Sequence, residues 1–406
     1  MASRFDIPDF YHSPIVSSLK RIRRQNDQRK KDLNPTIIDL GFIRFKIARH
    51  FGFCFGVQNA IEIAFKAIRE QKGRRIFLLS EMIHNPAVNS DLQNMGVRFI
   101  FTPDGMQQVP FESLSSEDVV IVPAFGTTVE MMKALADRGI NPMAYNTTCP
   151  FVEKVWNRSK ELGERGFTIV IHGKDFHEET KATFSHARLY GSSIIIRNME
   201  EALVLAQYIR REKEPSMFFE DFAGRYSVDL NPERDLARIG IVNQTTMLAG
   251  ETQAISDLLK EVMRSHYGDS SLNEHFADTH DTLCYATSEN QKSVQTLIES
   301  GGALALVIGG YNSSNTTHLA KLCAKNCPTY HIKDAGDLIS EKRIRHRQQS
   351  TGEVVETKNW LPEGINPIDI LITAGASSPD SLVDECLNRV ATLTGLEKRL
   401  RDLSFK

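Results

Sequence analysis

Residues 149–172, CPFVEKVWNRSKELGERGFTIVIH, contain a helical pattern followed directly by a strand pattern. Apolar or small side chains recur at the spacing of one helix face: Val152, Val155, Trp156, Ser159 and Leu162. Pro150 suits the first helical position, and Gly163 and Gly166 are expected to end the helix. Thr168–Ile171 is short and mostly apolar, which is typical of a strand buried on both faces. The stretch therefore predicts a helix that packs on a sheet.

Runs of the same kind recur along the chain after residue 40. The further predicted strands are Ile43–Ala48, Ile76–Leu79, Val119–Ala124, Ser193–Ile196, Ile239–Val242, Ala303–Ile308 and Asp369–Thr373. Amphipathic helical patterns follow many of them, such as Val57–Ile68. Alternating strands and helices predict an α/β protein with largely parallel sheets. Ligands of such proteins bind at the carboxyl ends of the strands, so the strand–helix junctions are the places to search for chemistry.

The composition excludes several classes of protein. The 406 residues include 49 basic and 51 acidic side chains, for a net charge of −2. At roughly 150 residues per domain, this length predicts two to three domains in an ordinary soluble globular protein. No apolar run approaches ~18 residues, so we expect no membrane span. The near-zero net charge argues against nucleic acid as a partner, because nucleic-acid-binding proteins usually carry a basic surface.

Three polar stretches lack a core pattern. Residues 1–40 are expected to form a solvated or partly helical N-terminal extension. The extension has no apolar region of a secretory signal, and its acidic residues argue against a transit peptide: Asp6, Asp9, Asp27 and Asp32. We therefore expect the bacterial cytoplasm, rather than a plastid, as the compartment. Residues 210–238 and 341–366 are expected to be surface insertions with little chemistry.

The six cysteines are too few for a disulfide scaffold and contain no Cys-x-x-Cys motif. Cys54, Cys149 and Cys284 each precede an amphipathic helix, where the helix dipole and free N–H groups favour a thiolate. Thr287 is expected to cap the third of these helices. Because the three cysteines are about one domain apart, three domains could each present one thiolate to an iron–sulfur cluster or a zinc ion. The other cysteines are interpreted as small core residues: Cys323, Cys327 and Cys386.

Other junctions carry neutral hydrogen-bonding side chains. The loop of residues 312–315, Asn-Ser-Ser-Asn, opens a helix after a buried strand, and free N–H groups at such a position bind phosphate-like anions. Ser377-Ser378 and Gln244-Thr245 occupy equivalent junctions, although Ser, Thr and Asn are also typical of helix caps. Together with His84 and His177, these groups could surround a diphosphate.

An acidic residue lies close to one of these histidines. Glu179 follows His177 by two positions, so in an extended chain both side chains would face the same pocket. A carboxyl group in such a pocket can donate a proton.

These segments together resemble the 4-hydroxy-3-methylbut-2-enyl diphosphate reductase family. The matching motifs are GFCFGVQNAI (52–61), IHNPAVNSDL (83–92), NTTCPFVEKVW (146–156), HEETKAT (177–183), NQTT (243–246), LCYATSENQ (283–291), NSSN (312–315) and TAGASSPDSLV (373–383). They occur in the family's order, which chance similarity does not produce.

The resemblance implies three α/β domains in a pseudo-threefold trefoil around a central iron–sulfur cluster. Their ranges are then 41–149, 150–282 and 283–390, after the extension and before a tail of residues 391–406. The first strand of domain 1 is a candidate to join the sheet of domain 3.

The resemblance also implies the site. The family's single [4Fe–4S] cluster would be bound by Cys54, Cys149 and Cys284, which leaves one iron without a protein ligand and open to act as a Lewis acid. Glu179 would deliver protons. The isoprenoid diphosphate substrate would contact His84, His177, Thr245, Ser313, Ser314, Asn315 and Ser377. The implied reaction is a two-electron reductive dehydroxylation, the last step of the non-mevalonate isoprenoid pathway, with ferredoxin or flavodoxin as the electron donor.

One position departs from the family pattern. Many bacterial members have Ala-His-Gly where this chain has Ala124-Phe125-Gly126, and phenylalanine cannot donate a hydrogen bond to a diphosphate. This replacement, the extension and the insertions resemble the plant and cyanobacterial branch, whose donor is typically ferredoxin.

Two alternatives stay open. The first is a hydratase that uses a three-cysteine cluster as a Lewis acid without net electron flow. The second is a non-catalytic metal-cluster protein that senses or stores metal. The loop of residues 312–315 and the His-Glu-Glu junction speak against the second, since a structural metal site needs neither.

Overall fold

The computed structural model describes residues 5–29, 31–277 and 282–403. Contacts divide the chain into two compact units. Unit 1 comprises Met1–Glu62, Ile83–Asp91 and Tyr285–Lys406, and unit 2 comprises Ile63–Met82 and Leu92–Cys284. No helix among the described residues is long and apolar enough to cross a membrane.

The α-helices of the described chain are α1 (Val16–Asn26), α2 (Phe55–Glu70), α3 (Pro86–Asn94), α4 (Val129–Ala136), α5 (Pro150–Glu164), α6 (Glu178–Ala187), α7 (Met199–Ile209), α8 (Phe218–Asp221), α9 (Pro232–Asp235), α10 (Ala249–Tyr267), α11 (Leu272–His275), α12 (Tyr285–Glu299), α13 (Ser314–Ala324), α14 (Asp380–Leu393) and α15 (Glu397–Arg401).

The strands are β1 (Thr36–Asp39), β2 (Ile43–Ile47), β3 (Ile76–Leu78), β4 (Arg98–Phe99), β5 (Val119–Ile121), β6 (Thr168–His172), β7 (Ser193–Ile196), β8 (Ile239–Asn243), β9 (Phe276–Ala277), β10 (Leu304–Ile308), β11 (Thr329–Ile332), β12 (Leu338–Ser340), β13 (Arg343–Arg347), β14 (Val354–Lys358) and β15 (Ile368–Ala374).

Unit 1 is built on one eight-stranded sheet. Its order is β1-β2-β15-β10-β11-β13-β12, with β14 paired to β13. The central strands β2, β15, β10 and β11 are parallel, and the strands at both margins are antiparallel. The apolar faces of α12, α13 and α14 pack on the sheet through residues such as Leu297, Leu319 and Leu387. Because β2, β15 and β10 are adjacent and parallel, their carboxyl ends lie at one edge.

Unit 2 contains two wholly parallel sheets, β4-β3-β5 and β7-β6-β8-β9. The strands β6, β7 and β8 are buried along their whole length, as continuous apolar runs predict. The predicted α/β class with mostly parallel sheets is confirmed. The division into three domains stays a prediction, as do its boundaries.

The quoted helix differs from the prediction at its end. α5 begins at Pro150 as predicted but continues through Gly163 to Glu164. Gly163 lies where α5 approaches the chain at Tyr190, and an added Cβ would lie 2.7 Å from the Tyr190 carbonyl carbon. Gly163 therefore permits close packing, whereas Gly166, with φ +75°, follows the helix end in a left-handed conformation.

The expectation of surface insertions is wrong for parts of both stretches. Phe218 and Phe222 of the first stretch are fully buried against α7 and α10. In the second, β13 and β14 extend the sheet of unit 1, and Ile344 and Trp360 are buried in its core. Their polar composition hid these few large apolar side chains.

The N-terminal extension is also more ordered than expected. It contains α1 and β1, and β1 pairs with β2 in the sheet of unit 1. Val16 is fully buried in the same core. At the other terminus, α14 crosses the predicted tail boundary at residue 390, and Leu400 of α15 is buried.

Adjacent phenylalanines test the packing of residues 210–238. Phe218 is fully buried, whereas Phe219 is 40% exposed. We expect Phe218→Ala to lower the free energy of unfolding by about 3–5 kcal/mol, because the change removes buried apolar surface and leaves a cavity. Phe219→Ala is the matched control and should cost less than about 1 kcal/mol. If urea unfolding shows that Phe218→Ala also costs less than about 1 kcal/mol, Phe218 does not belong to a hydrophobic core.

Candidate functional site

Six of the predicted site residues lie in unit 1, at the carboxyl edge of its sheet. Cys54 follows β2, Ser313, Ser314 and Asn315 follow β10, and Ser377 follows β15. His84 belongs to the same unit and precedes α3. The parallel pairing of these strands brings side chains together that are hundreds of residues apart in sequence.

Cys54 is a free, half-buried thiol directly before α2. Its backbone N–H donates to the carbonyl of Ala376 at 3.1 Å, so its loop contacts the loop that carries Ser377. Burial raises the pKa of the Cys54 thiol, and the N–H groups of Val57 and Gly56 act in the opposite direction. The N–H groups at the start of α2 lower the pKa of the thiol, as predicted, but burial raises the pKa by more.

Asn85 connects the histidine loop to the Ser377 loop. Its Nδ2 donates to the Ser377 carbonyl at 2.8 Å, and its Oδ1 accepts the N–H groups of Ala87 and Val88 at the start of α3. The Ser377 hydroxyl in turn donates to the His84 carbonyl at 3.3 Å. One buried amide therefore positions His84 and caps a helix.

The two serine hydroxyls of the loop of residues 312–315 differ in their hydrogen bonds. Ser313 caps α13, because its Oγ accepts the N–H of Thr316 at 3.3 Å. Ser314 and Asn315 are 3% and 4% exposed, and Ser314 Oγ and Asn315 Nδ2 meet no hydrogen-bond partner within the part of the chain that the structure describes. Unsatisfied buried donors are costly in a native protein unless a ligand or water pairs them. At the N-terminus of an eleven-residue helix, such donors fit an anionic ligand.

The remaining five predicted residues lie in unit 2 and form one connected set. Glu179 is 2% exposed, and its Oε1 accepts the backbone N–H of Thr245 at 2.5 Å. The Thr245 carbonyl accepts the N–H of Cys284 at 3.3 Å. Thr245 therefore hydrogen-bonds through its backbone to both Glu179 and Cys284.

His177 and Glu179 do not meet in the way the sequence predicted. They are not in an extended segment, because His177 is the N-cap of α6 and Glu179 lies in its first turn. His177 Nδ1 accepts the N–H of Glu179 at 3.2 Å, which requires the proton of the neutral ring to be on Nε2. The neutral imidazole therefore has its N–H at Nε2, on the side of the ring away from the cap.

The side chain of Gln244 joins the loop after β8 to the segment between β6 and α6. Its fully buried side chain accepts at Oε1 from the Lys174 N–H at 3.1 Å and the Thr180 hydroxyl at 3.2 Å. Its Nε2 donates to the Thr246 hydroxyl at 2.8 Å. The sequence placed Gln244 at the same junction as Thr245, and the structure gives its side chain these hydrogen bonds within unit 2.

Phe125 packs against the predicted histidine. Its ring meets the His177 ring edge to face, with centroids 5.7 Å apart. The neighbouring Gly126 has φ +76°, and an added Cβ would overlap the Trp156 ring. Cys149 contacts the same loop, because its N–H donates to the Ala124 carbonyl at 3.0 Å. Phe125 therefore contributes aromatic packing, and no hydrogen bond from its side chain, beside His177.

The six cysteines fall into two groups. Cys54, Cys149 and Cys284 are half-buried thiols outside any disulfide, and each directly precedes a helix, α2, α5 or α12. Three thiols of this kind fit a cluster with three protein ligands. Among the others, Cys323 and Cys386 are fully buried and Cys327 is half-buried.

Thr287 is not the expected cap of the helix after Cys284, because it lies inside α12, which begins at Tyr285.

Among the described residues no group of three or more His, Cys, Asp or Glu side chains is arranged to hold a single metal ion. Ligands of an iron–sulfur cluster bind different iron atoms and need not converge on one point.

The sequence analysis missed the role of Asn85 and the residues that hold the Cys54 loop. For Asn85 a signal existed, because Asn-Pro before an apolar pattern is a helix-start signature. Gln244 was found by its junction, but no local pattern marks its hydrogen bonds with Lys174 and Thr180, which are 70 and 64 positions away.

Comparison with known proteins gives a consistent result. The profile of the LytB protein family matches residues 45–391. A Gloeobacter violaceus protein named 4-hydroxy-3-methylbut-2-enyl diphosphate reductase is 42% identical over 359 residues, which covers 88% of this chain and 84% of that protein. A Cyanothece protein of the same name is 39% identical over 387 residues, with coverage of 95% and 93%.

Solved structures agree with this. A structure of (E)-4-hydroxy-3-methyl-but-2-enyl diphosphate reductase, the terminal enzyme of the non-mevalonate pathway, is 26% identical with a TM-score of 0.50, covering 86% of this chain and 99% of that one. A Plasmodium falciparum reductase structure is 20% identical with a TM-score of 0.60, covering 86% and 87%, and shows the shared fold.

Proposed function

The chain belongs to the LytB protein family, and we propose that it reduces (E)-4-hydroxy-3-methylbut-2-enyl diphosphate to isopentenyl diphosphate and dimethylallyl diphosphate. This is the last step of the non-mevalonate isoprenoid pathway. The reaction breaks the carbon–oxygen bond of the allylic hydroxyl and forms one carbon–hydrogen bond. It consumes two electrons and two protons and releases water.

The observation that carries the substrate assignment is a pair of buried donors at the start of α13, Ser314 Oγ and Asn315 Nδ2, for which residues 5–29, 31–277 and 282–403 provide no hydrogen-bond partner. We assign the diphosphate to these groups together with His84 and Ser377. Neutral donors and a helix N-terminus bind a phosphate group without requiring a lysine.

The cofactor assignment rests on family membership and on the three half-buried thiols. We propose that Cys54, Cys149 and Cys284 hold one [4Fe–4S] cluster. When bound, such a cluster supplies electrons one at a time and an iron that can act as a Lewis acid. Ferredoxin is the proposed donor and flavodoxin the alternative.

Glu179 is the proposed proton donor. Its carboxyl group is buried and fixed by the Thr245 N–H, which donates to Oε1 at 2.5 Å, and a positioned carboxyl group can donate a proton. His177 is proposed to orient the diphosphate through Nε2–H, because its Nδ1 accepts from the Glu179 N–H. Ser313 supports the site as the cap of α13, and Thr245 supports it through its backbone.

The experiment that tests the function uses the full-length protein purified without oxygen. We expect a brown protein that contains iron, whose absorption spectrum changes when the diphosphate substrate is added. Supplied with a reduced viologen dye, it should form both products. Turnover without any reductant would instead favour a hydratase. A colourless protein without iron, or a spectrum that no diphosphate changes, would overturn the proposal.

Adjacent serines separate binding from folding. Ser314→Ala removes a buried hydroxyl without a partner in the described chain, so we expect unchanged or slightly higher thermal stability of the apoprotein. Its KM should rise about 10- to 100-fold, since a hydrogen bond to a charged group contributes ~1.5–3 kcal/mol.

The matched control is Ser313→Ala. It removes the cap of α13 and should lower the free energy of unfolding by about 1 kcal/mol. If Ser314→Ala destabilises the apoprotein as the control does and leaves KM unchanged, Ser314 does not bind the diphosphate.

A further inference from the structure

The segment that precedes the family match at residue 45 contacts the loop of Cys54, and one of its contacts is made by a lysine. Lys20 of α1 donates from Nζ to the Phe51 carbonyl at 2.8 Å and to Asp380 Oδ1 at 2.6 Å. The same ammonium group lies 4.2 Å from the centre of the Phe51 ring. Lys20 therefore joins the Cys54 loop to the first residue of α14.

α1 is itself anchored in unit 1. Asp384 of α14, which is 5% exposed, accepts the N–H groups of Ile15 and Val16 at 2.9 Å each. The Ser17 hydroxyl donates to Asp380 Oδ2 at 3.1 Å. A carboxylate at a helix N-terminus stabilises the helix. Lys20 thus projects from a helix whose start is fixed on the same element that carries Asp380.

A second aromatic contact supports the arrangement. Tyr11 is buried, and its ring meets the Phe53 ring edge to face at 5.5 Å. Its hydroxyl donates to Asp91 Oδ2 at 2.9 Å. The extension therefore contacts residues on both sides of Gly52.

The loop packs closely against Lys20 and Asp380 at Gly52. Gly52 has φ +76°, and its N–H donates to the Ala374 carbonyl at a long 3.4 Å. An added Cβ on Gly52 would lie 3.0 Å from Lys20 Nζ and 3.2 Å from Asp380 Oδ1. The glycine, the lysine and the aspartate are thus packed against one another.

We propose that Lys20 is a positioning residue that clamps residues 50–56 onto the start of α14, next to the Ser377 loop. The clamp brings the Cys54 backbone into the hydrogen bond with Ala376. The expected effect of Lys20 on iron binding rests on the proposed function. The contacts of Lys20 with Phe51 and Asp380 do not depend on it.

The test is hydrogen exchange of the full-length apoprotein, followed by mass spectrometry. In Lys20→Met, a side chain of similar length without the charge, we expect peptides covering residues 50–58 to exchange about tenfold faster, as the loss of ~1.4 kcal/mol of local stability predicts. Peptides covering β10 should be unchanged. Arg24→Met, one turn along α1 and exposed, is the matched control.

Two outcomes would overturn the clamp. One is unchanged exchange in residues 50–58, and the other is faster exchange spread evenly over unit 1, which a merely structural role would produce. Should Lys20→Met not fold, Asp380→Asn tests the same contact from the other side. In the double variant the effect should be smaller than the sum of the two single effects, because both changes remove the shared contact between Lys20 and Asp380.

Iron release separates this proposal from the function. With localised faster exchange, we expect iron to leave the loaded Lys20→Met protein to a chelator about tenfold faster than from wild type, in proportion to the opening of the loop. Localised faster exchange with unchanged iron release would support the clamp and count against Cys54 as a ligand.

Discussion

Glu179→Gln is expected to bind substrate and to hold iron like the wild type, but to turn over about 10²–10⁴-fold more slowly. A glutamine oxygen can still accept the Thr245 N–H, so the geometry of the loop is retained. The amide cannot release a proton, and a positioned general acid contributes a factor of this size. The measurement is kcat with a reduced viologen dye, together with iron content and the substrate-induced spectral change.

The neighbouring acid is the control for Glu179. Glu178→Gln changes the same charge in the same helical turn and should alter kcat by no more than about threefold, in line with a group outside the proton path. If Glu179→Gln turns over at a near-normal rate, the proton role is wrong. If it loses iron or substrate binding, Glu179 acts through the structure of the site rather than through its proton.

The second large effect is expected for Cys149→Ala. This change removes one of the three proposed cysteine ligands and should weaken the retention of iron against a chelator by at least about 100-fold. Even mutation of a residue that only hydrogen-bonds to a metal ligand lowers metal affinity by about 10- to 100-fold. Cys323→Ala is the control, since Cys323 is fully buried and burial raises the pKa of its thiol to about 12. Its iron content should match the wild type.

A comparison of the two variants decides the assignment. Equal iron loss in Cys149→Ala and Cys323→Ala would contradict the division of the cysteines into ligands and core residues. Circular dichroism of both apoproteins shows whether either change has unfolded the chain, so that iron loss by unfolding is separated from iron loss by missing coordination.

Local periodicity was enough to find most of the sheet strands. β7 begins and ends where its apolar run does, and β6 and β8 each extend one residue further. A run that is buried on both faces must be apolar throughout, so its chemistry is written in consecutive residues. The strand–helix junctions followed from the same pattern, and with them the positions of the three cysteines that precede helices.

Contacts between distant residues escaped the same reasoning. The extension reads as polar, yet Val16 is capped by Asp384, which lies 368 positions away. Residues 210–238 read as an insertion because two buried aromatic side chains are hidden among many charges. Neither partnership has a local period, so no window of sequence contains both halves of it.

The sequence by itself determined the α/β class, the family and the identity of the candidate chemical groups, because these depend on residue types and their order. Only the tertiary structure decided what each group does. Ser313 caps a helix while the adjacent Ser314 has no partner among the described residues, and Lys20 reaches Phe51 and Asp380. Hydrogen bonds depend on distances of about 3 Å between atoms, and folding, not spacing along the chain, sets those distances.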